Sequence, residues 1–400
     1  MTRRIKIFKM MKEIHPATRV SDIKEYYFSK KLRELAKLND EGADIISLGI
    51  GGPDRAPSPK VISTLQKEAA DERNHSYQSY NGLPELRGAF AEWYKEKYGV
   101  TLDPATEILP LIGSKEGIMH ISLTFLNPGD GVLVPDPGYP TYTSVSRLVG
   151  AEIFTYDLKE ENGWLPDFEQ LEKLPLEKIK LMWVNYPHMP TGKQADLSTF
   201  EKLVKFGKKH GIVIAHDNPY SFILNREPLS LLQVEGAKDI AVELNSLSKS
   251  HNMAGWRVAM AASNPQFISW ILKVKSNIDS GQFKPVMLAA TEALKLEDDW
   301  YEKLYDVYAQ RRKIAEEIME TLGCHYDREQ RGLFLWGKVP EEIESGAWLA
   351  DELFYKAKVF VTPGFIFGKN GEKYIRISLC ATPEKLRESL RRIKAYKAIN

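Results

Sequence analysis

The chain is 400 residues long, enough for two or three domains, and its 43% hydrophobic content can bury several cores. With 55 Lys and Arg against 54 Asp and Glu the formal net charge is +1, without the basic excess that nucleic-acid binding requires. Two cysteines, Cys324 and Cys380, are too few for a disulfide scaffold or a cysteine-built zinc site, and the composition excludes disorder. From the N-terminus, the basic start Met1–Lys9 lacks the apolar stretch of a secretory signal, and Glu13, Asp22 and Glu25 follow it; the pattern predicts an ordered arm. No apolar run nears the roughly 20 residues that span a bilayer, so a soluble, cytoplasmic protein is expected. Beyond about residue 110, the runs Val132–Pro135, Lys180–Asn185, Ile212–Asp217 and Ile240–Asn245 are strand-length and almost unalternated, as in a parallel sheet covered on both faces. Between them Ser198–His210 carries Phe200, Leu203, Val204 and Phe206 at helical spacing. This is the pattern of a wound α/β fold. After Pro285 come a long charged helical stretch, Leu296–Leu322, and two strand-like runs, Gly332–Trp336 and Lys373–Leu379, which predict a second, smaller α+β domain.

Several familiar motifs fail. No phosphate-binding Gly-x-x-x-x-Gly-Lys-Ser/Thr is present, and Gly49-Ile50-Gly51-Gly52-Pro53-Asp54 puts Asp54 where a dinucleotide fingerprint needs its third glycine. The eight histidines show no metal-ligand spacing. Ser246-Leu247-Ser248-Lys249 satisfies the Ser-x-x-Lys of penicillin-recognising enzymes, but the companion Ser-Asp-Asn and Lys-Thr-Gly strings are missing.

The same Lys249 reads differently with its surroundings. Arg257 follows it by eight residues, Asp217 closes an apolar strand with Tyr220 three residues on, and Gly113-Ser114-Lys115-Glu116-Gly117 opens a helix. Tyr139 stands in Asp136-Pro137-Gly138-Tyr139-Pro140, and Arg376 in the alternating run Tyr374–Ser378. Taken singly, each has an ordinary explanation: a surface lysine, a helix-capping Asp217 or Ser114, a core Tyr139, an Arg376 on a solvated face, a loop Tyr77. In this order, from Ser47 to Ala381, they resemble the fold-type I pyridoxal-phosphate enzymes, specifically the class I and II aminotransferases. The resemblance implies a large domain with a mostly parallel seven-stranded sheet between helices (residues 47–295), a smaller C-terminal α+β domain (296–400), and an N-terminal arm (1–46) that belongs partly to the small domain.

It also implies roles. Lys249 is similar to the lysine that forms the Schiff base and shuttles the α-proton, a task for a nucleophilic amine. Arg257, Ser246, Ser114 and the backbone of Lys115 correspond to phosphate ligands, since a guanidinium fork and a helix N-terminus both suit a dianion. Asp217 would keep the pyridine nitrogen protonated, Tyr220 would donate to the phenolate oxygen, and Tyr139 would stack on the ring. Tyr77, or its rival Tyr80, resembles the tyrosine that reaches the neighbouring subunit's phosphate, which implies a homodimer. Arg376, with the Gly51 N–H, would grip the substrate carboxylate. In Asn185-Tyr186-Pro187-His188-Met189-Pro190-Thr191-Gly192 the family's asparagine pattern is retained at Asn185, but Met189 stands where a donor to the phenolate oxygen is usual. A thioether cannot donate, so the imine is expected to keep its proton to higher pH. His188 has two readings, a contact to the substrate side chain or a structural loop residue.

The implied activity is amino-group transfer between an α-amino acid and a 2-oxo acid by a ping-pong mechanism in amino-acid metabolism. The alternative is β-elimination of a sulfur amino acid on the same fold, which shares Lys249, Asp217 and Arg257. No residue identifies the substrate side chain.

Overall fold

The computed structural model of the chain describes residues 14–21 and 27–399; the basic start Met1–Lys9, expected to be ordered, lies outside them. Twelve strands occur among these residues: β1 (Ile46–Ser47), β2 (Ile108–Leu111), β3 (Gly131–Asp136), β4 (Glu152–Asp157), β5 (Ile179–Asn185), β6 (Val213–Asp217), β7 (Ala241–Ser246), β8 (Ala259–Ala262), β9 (Phe334–Lys338), β10 (Val359–Phe360), β11 (Thr362–Pro363) and β12 (Tyr374–Ser378). Seven form one sheet in the order β2-β8-β7-β6-β5-β3-β4, parallel except for β8, which runs against both neighbours.

The central strands β6 and β7 are buried at every position, the condition that produces unalternated apolar runs. The helices that cover them carry narrow apolar stripes, as in Leu197–His210, which starts at an Asp196 N-cap and stops at left-handed Gly211. The predicted central strands are found within a residue or two. Edge strands β2, β4 and the antiparallel β8 had no clear signal: β4 is half exposed and β8 is an Ala-Met-Ala-Ala segment. The long helix Asp298–Leu322 leads from this region to the antiparallel β11-β12-β9 sheet.

The chain before the large sheet turns back. Helix Tyr27–Asp40 lays Phe28 and Leu32 on Phe354 and Phe360, and β1 pairs in parallel with β10. The segment after β1 then runs along β12, with Ser378 N–H donating to the Leu48 carbonyl and Ser378 Oγ to that of Ile50. That places residues 48–51 at the border between the two main sheets, beside the carboxyl ends of β5, β6 and β7. In wound α/β sheets this is where sites form.

Candidate active site

A cavity of about 760 Å³ opens at that border. Its lining includes Gly51, Ser114, Lys115, Tyr139, Asn185, Asp217, Tyr220, Ser246, Lys249, Arg257 and Arg376, eleven of the twelve sequence-predicted site residues. The twelfth, Tyr77, is 90% exposed and lies away from the cavity of its own chain. That is a surface position, open to solvent or to another molecule.

Asp217 is buried at the last position of β6. Its Oδ2 accepts from the Tyr142 hydroxyl at 2.9 Å, whereas Oδ1 finds no protein partner among the described residues. Burial pushes its pKa up to about 6, against the downward pull of the Tyr142 hydrogen bond. Tyr142 is held in turn by a parallel stack on Trp183, with ring centroids 5.0 Å apart. No motif singled out Tyr142. The available signal was its position three residues beyond Tyr139 on helix Pro140–Leu148, which brings it into edge-on contact with the Tyr139 ring at 5.5 Å. Behind Asp217, the buried His216 imidazole lies 2.7 Å from the carboxylate of buried Glu243, so the sheet edge is braced by a polar network.

Lys249 sits on the short helix Leu247–Ser250, capped by the Ser246 side chain. Its Nζ donates to the Gly51 carbonyl at 2.6 Å. Burial lowers its pKa, which makes the free amine more available as a nucleophile. Tyr220 lines the same wall, and burial raises its pKa, so its hydroxyl keeps its proton and can donate.

At one end, Ser114 begins a twelve-residue helix after Gly113, whose φ is +86°. A Cβ on Gly113 would lie 1.9 Å from Arg257 Nη2, so the guanidinium closes directly on the turn and only glycine fits. Arg257 itself has φ +57° and donates through Nη1 to the Ala254 carbonyl.

At the other end, Arg376 is 5% exposed, so the solvated-face reading does not hold. Its guanidinium carbon lies 3.8 Å from the Phe334 ring centroid and 4.7 Å from that of Phe367. Nη2 donates to the Gly49 carbonyl at 3.0 Å, Nη1 lies 3.3 Å from the Met189 sulfur, and Nε has no partner among the described residues. Burial brings its pKa down to about 10. Phe334 also presses on Gly51, where a Cβ would lie 2.4 Å from the ring.

Asn185 is occupied within the turn: its Nδ2 donates to the Asp217 carbonyl at 2.6 Å and its Oδ1 accepts from Met189 N–H at 2.8 Å. Its amide thus ties the turn to the end of β6 while the side chain still lines the cavity. His188 is buried, 2.8 Å from Thr191 Oγ1, with its pKa pushed down to about 3 by burial, and it does not line the cavity. The loop reading holds for it.

Comparisons with known proteins agree with this geometry. The profile of the family described as aminotransferase class I and II matches residues 43–393. This chain belongs to that family. It is 44% identical over 382 residues to the LL-diaminopimelate aminotransferase of Aquifex aeolicus, covering 95% of this chain and 98% of the relative. It is 42% identical to the enzyme of the same name from Dehalococcoides mccartyi, again over 95% and 98%. Among solved structures, substrate-bound BacF from Bacillus subtilis is similar with a TM-score of 0.91, 36% identity, and 96% and 98% of the two chains covered.

The protein is therefore a pyridoxal-phosphate-dependent aminotransferase on the fold-type I scaffold, with amino acids and 2-oxo acids as substrates. The lyase alternative is not favoured. The cavity fits the cofactor by its own chemistry. It offers an amine, a buried carboxylate with one oxygen unsatisfied, and a helix N-terminus closed over by a guanidinium. Among the described residues, no helix of this aminotransferase is long and apolar enough to cross a membrane.

Proposed function

We propose that Lys249 attaches the cofactor and moves the α-proton, that Asp217 faces its ring nitrogen, and that Ser114, the Lys115 backbone, Ser246 and Arg257 hold its phosphate. Arg376 grips the substrate carboxylate, Tyr139 would stack on the cofactor ring, and Tyr220 would donate to its phenolate oxygen. The observation that carries this reading is Asp217 Oδ1, a buried carboxylate oxygen left without a partner at the carboxyl edge of the sheet. Such an oxygen is costly unless a cationic N–H meets it.

Bound pyridoxal phosphate supplies an electron sink for the pair left when the α-proton departs. This chain's residues do the rest. Arg376, sandwiched between Phe334 and Phe367 and with Nε unsatisfied, offers a planar fork to the α-carboxylate. That contact fixes the α-carbon, and Lys249, on a short helix between the two ends, can take the proton from one carbon and return it to another. Asp217 stays ionised opposite a cation, with Tyr142 fixing its second oxygen. Held by these residues, the cofactor would serve as the amino-group carrier between an amino acid and a 2-oxo acid.

The relatives' shared name makes LL-diaminopimelate the amino donor we propose. A specific observation favours a second reading, an amino acid with an apolar side chain. Tyr27, Ile50, Phe334, Phe365 and Phe367 all line the cavity, and Tyr27 meets Phe365 edge-on at 5.2 Å. We also read residues 47–295 as the cofactor-binding domain and 296–400 as the small domain, joined by part of the arm, in a cytoplasmic homodimer. Exposed Tyr77 and Tyr80, near the exposed Phe283 ring that contacts His75, support a second copy there.

A half-reaction screen tests this. The cofactor-loaded protein is mixed with LL-diaminopimelate, and separately with phenylalanine, leucine and methionine, while the visible band is followed. Bleaching by LL-diaminopimelate, reversed by a 2-oxo acid, supports the first reading. Bleaching by the apolar amino acids alone replaces it with the second, and release of pyruvate and ammonia from cystine, assayed alongside, with no bleaching by any of the other amino acids, overturns both.

A further inference from the structure

A cluster of charged side chains beneath the Ser114 turn has no part in the chemistry above. Lys275 is 1% exposed and pairs with Asp279 Oδ1 at 2.8 Å, and the same oxygen accepts Gly281 N–H at 2.7 Å. Glu116 accepts Ile112 N–H at 2.5 Å and lies 3.1 Å from Nε2 of fully buried His120. One ligand atom from each of Glu116, His120 and Asp279 falls within 4.8 Å of the others. A cation is already built in as the Lys275 ammonium, so the cluster is a scaffold and not a metal site.

The scaffold supports one amide. Gln282 is 9% exposed, and its Nε2 donates to the Leu111 carbonyl and to the Arg257 carbonyl, both at 3.1 Å. Both neighbours are acceptors, so only the NH2 end of the side chain can face them. Leu111 ends β2, two residues before Gly113, and Arg257 carries the guanidinium that closes on Gly113. A single side chain therefore ties together the two segments whose spacing sets the width of the anion site. Arg257 needs such a tie, because φ +57° is an unfavourable conformation for a residue other than glycine. The approach to Gln282 is itself constrained. Gly281 has φ +88°, and a Cβ there would lie 2.8 Å from the Gln78 carbonyl oxygen.

We propose that Gln282 is a positioning residue for phosphate recognition, which its amide secures by holding Arg257 at a fixed distance from the Ser114 turn. This rests on the reading that Ser114 and Arg257 take the phosphate. Gln282 does not line the cavity; it acts through two backbone carbonyls.

The test compares pyridoxal phosphate with pyridoxal, which lacks the phosphate. Full-length protein stripped of cofactor is titrated with each, and the visible band is read in wild type, Gln282→Met, Gln282→Glu and Arg257→Ala. Two hydrogen bonds of ordinary strength are removed, so Gln282→Met should bind pyridoxal phosphate about tenfold more weakly and pyridoxal within about twofold of wild type. Gln282→Glu, which turns an acceptor toward two acceptors, should lose more. Equal losses for both ligands, or no loss, would overturn the proposal, because a merely structural residue cannot change the ratio. If Gln282→Met does not fold, the ratio in Gln282→Glu decides. Arg257→Ala separates the two levels. If it leaves the ratio unchanged, the phosphate-site reading itself fails; if it alters the ratio while the Gln282 variants do not, only the role of Gln282 fails.

Discussion

At the Ser114 end of the cavity the polar groups come from the large sheet: the end of β2, the end of β7 and the loop before β8. At the Arg376 end they come from β12, from the 49–51 segment that returns from the N-terminal arm, and from aromatic rings on β9 and the segment after β11. The first end is made of turns with glycine-only conformations and short side chains, which tolerate little movement. The second is a cation held between two rings, with a thioether and a carbonyl as its remaining partners. Rigid geometry suits a ligand that stays bound through every cycle. A guanidinium with an unsatisfied Nε and a weak sulfur acceptor is readier to exchange its partners for an incoming carboxylate.

Substitutions at four positions can break or sharpen this contrast. Lys249 stands between the ends, reaching Gly51 from the β7 side, so Lys249→Ala should abolish transamination by about a thousandfold or more, the scale of losing both nucleophile and proton carrier. Stopped-flow half-reactions would register it. Arg376→Ala should act on substrate alone: kcat/KM falls about a hundredfold with cofactor affinity unchanged, and Arg376→Lys recovers only part, because an ammonium lacks the planar fork. A loss of cofactor affinity in Arg376→Ala would erase the distinction between the ends.

Asp217 gives a pH-dependent prediction. Its folded-state pKa of about 6 lies above that of an unfolded chain, about 3.9, so the ionised form costs stability above pH 6 and the cost vanishes below about pH 4. Cofactor-free Asp217→Asn should therefore be more stable than wild type at pH 7, by about 3 kcal/mol, and should lose that advantage as the pH falls from 6 to 4. Urea unfolding at pH 7 and pH 4 measures both values. The smallest effect belongs to Phe334→Leu. Removing one ring from the Arg376 sandwich should raise KM about fivefold, the scale of a cation–π contact of ~1 kcal/mol, with kcat nearly unchanged.

Much of the first end could be read from the residues alone. Asp217 and Lys249 lie at or just beyond the ends of strands whose burial on both faces makes apolar runs, and Ser114 and Arg257 follow from motif spacing. Strand β8 and edge strand β4 were missed because alanines and a half-exposed alternation resemble loops. Tyr142 was missed because a helix residue one turn beyond a recognised tyrosine carries no mark of its own. Arg376 was found, yet alternation alone suggested a solvated face, because nothing in Tyr374–Ser378 records that segment 48–51 and Phe334 cover it.

Local pattern and residue order determined the wound α/β class, the family and the choice of Lys249 as the candidate lysine, because burial periodicity and motif spacing are properties of neighbouring positions along a chain. Only the tertiary structure decided that Asp217 keeps one oxygen free, that Asn185 is tied to the Asp217 carbonyl, that Met189 faces Arg376 and that Gln282 bridges Leu111 and Arg257. Those facts depend on which distant segments meet, and hydrogen bonds between residues 25 to 187 positions apart leave no periodic trace in the sequence.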